Sequence, residues 1–92
     1  MKVIYLNGGE ITGKRALHEE LAEQLHFPSY YGRNLDALYD LLSIEREHCL
    51  FILSDREGFE ENLGGYFHGF MHVLRDVGRE NDRIAWMMKD EL

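Results

Sequence analysis

The chain has one cysteine, Cys49, and one proline, Pro28. A lone cysteine closes no intramolecular disulfide and cannot build a zinc site by itself. Packing must therefore hold the fold, and a reducing compartment suits it. Long apolar runs are missing: none approaches the ~20 residues that a membrane-spanning helix needs. The first eight residues lack the longer apolar core and small-residue cleavage site of a secretory signal, so the expected location is the cytoplasm. Positive charge is scarce. Ten Lys and Arg stand against 17 Asp and Glu, a net charge of −7. That balance argues against a general affinity for nucleic acid phosphates. Small molecules and basic proteins remain the natural partners. Cys-x-x-Cys, Gly-rich phosphate-loop and Gly-x-Ser-x-Gly motifs are absent too. Gly64-Gly65 has neither the spacing nor the lysine of a nucleotide loop. Cys49 opens an apolar strand, which suits a buried structural thiol better than a nucleophile. An enzyme is not expected.

What is present is enough apolar material for one core. Of 92 residues, 45% are apolar, and five Tyr, five Phe and one Trp are among them. Folding at this size removes roughly 65% of the unfolded chain's surface from water. One domain spanning residues 1–92 is expected, with no linker or internal repeat.

Lys2-Val3-Ile4-Tyr5-Leu6, stopped by Asn7-Gly8-Gly9, reads as a buried strand ending in a turn. Leu17, Leu21 and Leu25 recur at helical spacing. They predict a helix of about 13 residues with Thr12 as its N-cap. Phe27-Pro28 ends it, because proline disfavours helical geometry in the residue before it. Asn34 is a strong N-cap for a second helix. Leu35, Ala37, Leu38, Leu41 and Leu42 share one arc of that helix, and Asp36, Tyr39, Asp40 and Ser43 share the other. Cys49-Leu50-Phe51-Ile52-Leu53 is a second apolar strand. Residues 55–63 are polar and turn-rich, with room for one short helix. Residues 66–79 form a third strong helix, whose arc of Tyr66, Phe67, Phe70, Met71, Val73, Leu74 and Val77 opposes His68, His72, Arg75, Asp76 and Arg79. Residues 83–88 make a third strand, followed by a short charged tail. Strands without polar alternation are expected to be covered on both faces, and strand–helix–strand order favours parallel pairing. The expected fold is α/β: a three-stranded, mostly parallel sheet packed with three to four helices.

The second helix carries the most functional information. Asp36 and Asp40 lie one turn apart on the face away from the leucines. Tyr39 borders them, and Tyr30 and Tyr31 precede the helix. Carboxylates among tyrosine rings suit protein recognition: Tyr supplies contact area at low entropic cost. A carboxylate can also stand in for phosphate before Arg, Lys or His. The structural alternative is that Asp36 merely complements the helix dipole and Asp40 is an ordinary solvated acid. Gly32 and Asn34 read as structural, a turn that permits unusual backbone angles and then a cap.

Residues 27–42, FPSYYGRNLDALYDLL, resemble the signature of the barstar family of intracellular ribonuclease inhibitors. Tyr30, Tyr31, Gly32, Asn34, Leu35, Asp36, Ala37, Leu38 and Asp40 match it; outside this core the likeness is one of pattern. The resemblance implies a parallel three-stranded sheet with helices. It also implies a 1:1 inhibitor, monomeric when free and without cofactor or metal, that plugs the active site of a small basic ribonuclease. Asp40 would be the central anion in the enzyme's phosphate site, with Asp36 on basic side chains beside it. Tyr30 would cover the mouth of the cleft, and Tyr31 and Asn34 would shape the loop. Tyr39 stands where relatives often carry tryptophan, and a contact there is expected in altered form. Asp76 and Glu80 resemble the family's second acidic contact. Arg33 and Ser29 make this loop less acidic than in some relatives; Arg33 could pair with Asp36 or repel a basic partner.

Two other readings compete with this one. His68, His72 and Asp76 sit at i, i+4 and i+8 on a polar arc, a spacing that can turn two imidazoles toward one ion. The glutamate that follows the first His in metalloprotease motifs is replaced by Gly69, and surface histidines explain the pattern adequately. An acidic interaction or immunity module for a different basic toxin would use the same surface, so it stays open at this point.

Overall fold

The computed structural model describes residues 1–91. The order is β1 (Lys2–Asn7), α1 (Lys14–Leu25), α2 (Leu35–Ser43), β2 (Cys49–Ser54), α3 (Arg56–Leu63), α4 (Gly65–Glu80) and β3 (Ile84–Met88), then one 3-10 turn at Lys89–Glu91. The three strands form a parallel sheet in the order β1-β2-β3. Lys2 pairs with Cys49, which pairs with Ile84, and the register continues to Leu6, Leu53 and Met88. The α/β architecture with four helices agrees with the sequence.

The expectation that both sheet faces are covered does not hold. Crossovers between parallel strands are right-handed. Each crossover here moves one strand further in the same direction, so both place their helices on one side. On that side Ile4, Leu6, Cys49, Phe51, Leu53, Ile84 and Met88 are buried. The alternate residues face outward: Val3, Leu50, Ile52 and Met87 are half-buried, and Tyr5 is 65% exposed. An uninterrupted apolar run records the parallel pairing but not which face the helices cover.

The helices bury the centres of the predicted arcs, and Leu35, Ala37, Leu41, Tyr66 and Val73 are half-buried beside them. Leu17, Leu21 and Leu25 of α1, Leu38 and Leu42 of α2, and Phe67, Phe70, Met71, Leu74 and Val77 of α4 enter the core. Full burial of such a side chain is worth roughly 1.5–3 kcal/mol against exposure. Asn34 caps α2 as expected, its side chain accepting from the Ala37 N–H at 2.8 Å. Thr12 does not cap α1: Gly13 occupies that position, and no side chain caps the helix. Ile11 is buried and its N–H donates to the Asn7 carbonyl at 3.1 Å, a turn that carries the chain past Thr12 before the helix begins.

The polar stretch before α4 does hold one short helix, α3. Asp55 caps it, accepting from the Gly58 N–H at 3.0 Å. The Asp90 carboxylate, from beyond β3, accepts from the Asp55 and Arg56 N–H groups at 3.0 and 2.9 Å. These two donors hold the Asp90 carboxyl below the usual carboxylate range. The start of α3 presses against the end of β1 at Gly8. A Cβ there would lie 2.2 Å from the Asp55 carbonyl oxygen and 2.4 Å from the Phe59 nitrogen. At the opposite margin of β1, the Gln24 side chain grips the strand's backbone, accepting from the Tyr5 N–H at 3.0 Å and donating to the Tyr5 carbonyl at 2.8 Å.

Candidate functional site

The segment of residues 26–34 links α1 to α2 and carries two tyrosines with opposite fates. Tyr30 is 82% exposed, and Tyr31 is 4% exposed. Tyr31 packs on Phe27 at a ring separation of 4.7 Å. Its hydroxyl lies 2.5 Å from Nδ1 of His18, and the His18 Nε2 lies 2.6 Å from the Tyr66 hydroxyl. One buried imidazole of α1 thus ties the loop to the start of α4. Burial, and then the Arg33 charge, hold the His18 pKa below its ordinary 6.5. Burial pushes the Tyr31 and Tyr66 hydroxyls up, so both stay protonated. Tyr31 is therefore held in the core by Phe27 and His18, in contrast to the exposed Tyr30.

The backbone of this loop departs from expectation at one residue. Gly32 does not take a left-handed conformation; Arg33 does, at φ 51. Gly32 is small for a different reason: a Cβ there would meet the Ala37 Cβ and Asn34 Nδ2 at 3.2 Å. Arg33 does not pair with Asp36; among the described residues no ion pair within 4 Å joins them.

Asp36, Asp40 and Asn34 are exposed. Asp40 borders a shallow cleft of about 320 Å³ formed with Tyr30, Tyr31, Gly32, Ala37 and Leu41. Among the described residues no hydrogen bond or ion pair engages the carboxylates of Asp36 and Asp40. The Ser43 hydroxyl donates to the backbone carbonyl of Asp40 at 2.8 Å.

The late helix joins this surface through Tyr39. The Tyr39 hydroxyl donates to Oε2 of Glu80. That bond, with the charges of Glu80, Asp76 and Asp40 around it, pushes the Tyr39 pKa up. Glu80 contacts this phenol from α4, and the charges of Asp76 and Asp40 are felt there from α4 and α2. Asp76 also pairs with Arg79 at 3.7 Å. Such a surface can attract cations. Two residues of this region carry links that no local pattern in the sequence records. His18 looked like one more residue beside Leu17, with its partners 13 and 48 residues away. Glu80 was visible as an acid, but its bond to Tyr39 was not.

His68 and His72 are exposed on α4, and among the described residues no three His, Cys, Asp or Glu side chains are arranged to hold a metal. Cys49 is buried, and burial pushes its thiol up, away from the reactive thiolate. No described helix is long and apolar enough to cross a membrane.

Comparison with known proteins bears on the whole chain. It is 35% identical over 81 residues to a Bacillus subtilis (strain 168) protein named "Putative ribonuclease inhibitor YrdF", an alignment that covers 87% of this chain and 89% of the relative. Residues 1–89 match the family described as Barstar (barnase inhibitor). With the parallel three-stranded sheet and the segment from Tyr30 to Asp40 in place, the chain belongs to the barstar family.

Proposed function

We propose that this chain is a non-enzymatic inhibitor that binds a small, basic, barnase-like ribonuclease 1:1 and covers its active site. Family membership supports the activity, and the name of the B. subtilis relative points the same way. The observation that carries the binding mode is the Asp40 carboxylate: exposed, unspent by its own fold, and set beside an exposed Tyr30 in the signature segment. A ribonuclease must display cations for the RNA backbone. Asp40 would enter that phosphate site as a substitute anion, and charge-assisted hydrogen bonds to Arg or Lys would hold it. Asp36 would take neighbouring cations. Tyr30 would lie over the cleft, Asn34 would hold the loop at the contact, and Tyr39 would present Glu80 and Asp76 as a second acidic contact. No cofactor takes part, and the inhibitor would act in the cytoplasm as a monomer.

The test is a titration against a panel of small guanyl-specific ribonucleases, with RNA cleavage as the readout. Inhibition that weakens as salt is added is expected, because steering between exposed charges is screened beyond ~10 Å at 0.1 M salt. Asp40→Ala should weaken inhibition by about 30-fold or more. That factor corresponds to the ~2–5 kcal/mol lost when one member of a buried charge pair is removed. The barnase–barstar pair is the worked example behind this range. Equal inhibition by parent and Asp40→Ala would remove Asp40 as the anchor. An uninhibited panel would favour a basic partner of another kind.

A further inference from the structure

Beside the acidic surface lies a groove of about 750 Å³ with the opposite charge, between the start of α1, the loop and the start of α4. Lys14, Arg15, Glu19, Arg33, Asn34 and Tyr66 line it. Arg15 is tied to Glu19 at 2.8 Å. Lys14 and Arg33 have no carboxylate within 4 Å among the described residues. The Lys14 ammonium rests 4.8 Å from the centre of the Tyr66 ring, which holds it in place without neutralising it. Arg33 is exposed on a left-handed backbone, so the turn itself sets where its side chain departs.

We propose that the binding face is bipolar: while Asp40 and its acidic neighbours take cations of the ribonuclease, Lys14 and Arg33 take a carboxylate on the rim of the same cleft. This rests on the inhibitor reading above and adds the chemistry of the partner's rim. Continuity supports it. Arg33 and Asn34 lie in the stretch between Tyr30 and Asp36, so a partner seated on Tyr30 and Asp40 also meets the groove. Separation supports it as well. From Tyr66, beside the cations, to Glu80, among the acids, α4 rises about 21 Å, at 1.5 Å per residue. The Debye length at physiological salt is about 8 Å, so the Lys14 charge beside Tyr66 is screened from Glu80 at the far end of α4.

Charge placement points the same way. Lys14 and Arg15 stand at the uncapped start of α1, where no acidic residue is present. Asp76 and Glu80 stand near the end of α4. Helix dipoles favour the reverse at both places, so the dipole does not account for this placement. A nucleic acid strand is a poorer occupant than a protein carboxylate. Glu19 lines the groove, acids flank it, and the chain carries a net charge of −7.

The experiment uses those ribonucleases of the panel that the parent inhibits. Arg33→Glu and Lys14→Glu should each weaken inhibition by about tenfold or more at low salt, and Arg33→Lys should stay within about threefold of the parent, with urea midpoints unchanged. Unchanged or tighter inhibition by both charge reversals would overturn the bipolar face. So would binding of a labelled single-stranded oligoribonucleotide by the parent that Arg33→Glu abolishes, which would assign the groove to nucleic acid. The two readings fail differently. Asp40→Ala that retains inhibition sinks the anchor. Asp40→Ala that loses inhibition while both reversals keep it sinks the cationic pole alone. A panel left uninhibited by the parent sinks both.

Discussion

Replacing Tyr31 by Phe removes one oxygen and leaves the ring. That oxygen is 2.5 Å from Nδ1 of His18, inside a residue pair exposed by only 4% and 1%. Neutral imidazole has one donor and one acceptor nitrogen, so both of its neighbours are needed. The Tyr66 hydroxyl continues to serve Nε2 at 2.6 Å, and Nδ1 is left in a dry interior. A buried polar group without a partner costs about 1–3 kcal/mol. With a urea slope of roughly 1–3 kcal/mol per M for a small domain, the unfolding midpoint should fall by about 1 M. Tyr66→Phe is the control. Tyr66 is half-buried, so water can replace its hydroxyl more readily, and the loss should be smaller. Equilibrium urea unfolding followed by tyrosine and tryptophan fluorescence reads both. A Tyr31→Phe midpoint within about 0.2 M of the parent would show that the His18 contact does not hold the loop.

The same imidazole sets a pH dependence. Unfolded His18 takes up its proton near 6.5, and the folded side chain does so only at lower pH. Between the two values the unfolded chain holds more protons, so stability falls on acidification, by at most about 1.4 kcal/mol per pH unit from this group. Urea midpoints measured from pH 7.5 down to 5 should show the slope in the parent and lack it in His18→Gln; equal slopes would refute the assignment. At the junction of β1 and α3, Gly8→Ala should cost about 3 kcal/mol or more, because its Cβ would collide with backbone atoms that cannot turn aside. Gly13→Ala, whose Cβ would meet nothing within 4 Å, should shift the thermal midpoint little, and similar losses at the two glycines would contradict the packing described.

The sequence carried much of this molecule because its strongest signals are local. The apolar runs around Ile4, Phe51 and Ile84 became adjacent parallel strands. The centres of the α2 and α4 arcs are buried, with Leu35, Ala37, Leu41, Tyr66 and Val73 half-buried at their margins, and Asn34 capped where an asparagine before a helix should. The failures lie where distant parts meet. Thr12 lost its capping place to Gly13 because Ile11 is drawn into the core. Arg33, not Gly32, takes the left-handed turn, because Gly32 is fixed by its closeness to Ala37. One-sided covering of the sheet follows from strand order, which an apolar run does not record. At the site, the exposed acids could be read from α2 alone. The Tyr39–Glu80 bond and the His18 link to Tyr31 and Tyr66 join residues 13 to 48 positions apart, beyond the reach of any local pattern.

The grip of Gln24 on Tyr5 bears on how these molecules behave when crowded. An outermost strand offers free rungs to any passing chain, and beside an uncovered oily surface that offer invites stacking into fibres. By satisfying both the N–H and the carbonyl of Tyr5, one glutamine poses as a fourth strand a single residue long. It blunts the middle of that margin, so neighbouring copies find no open rung at Tyr5 from which to zip together.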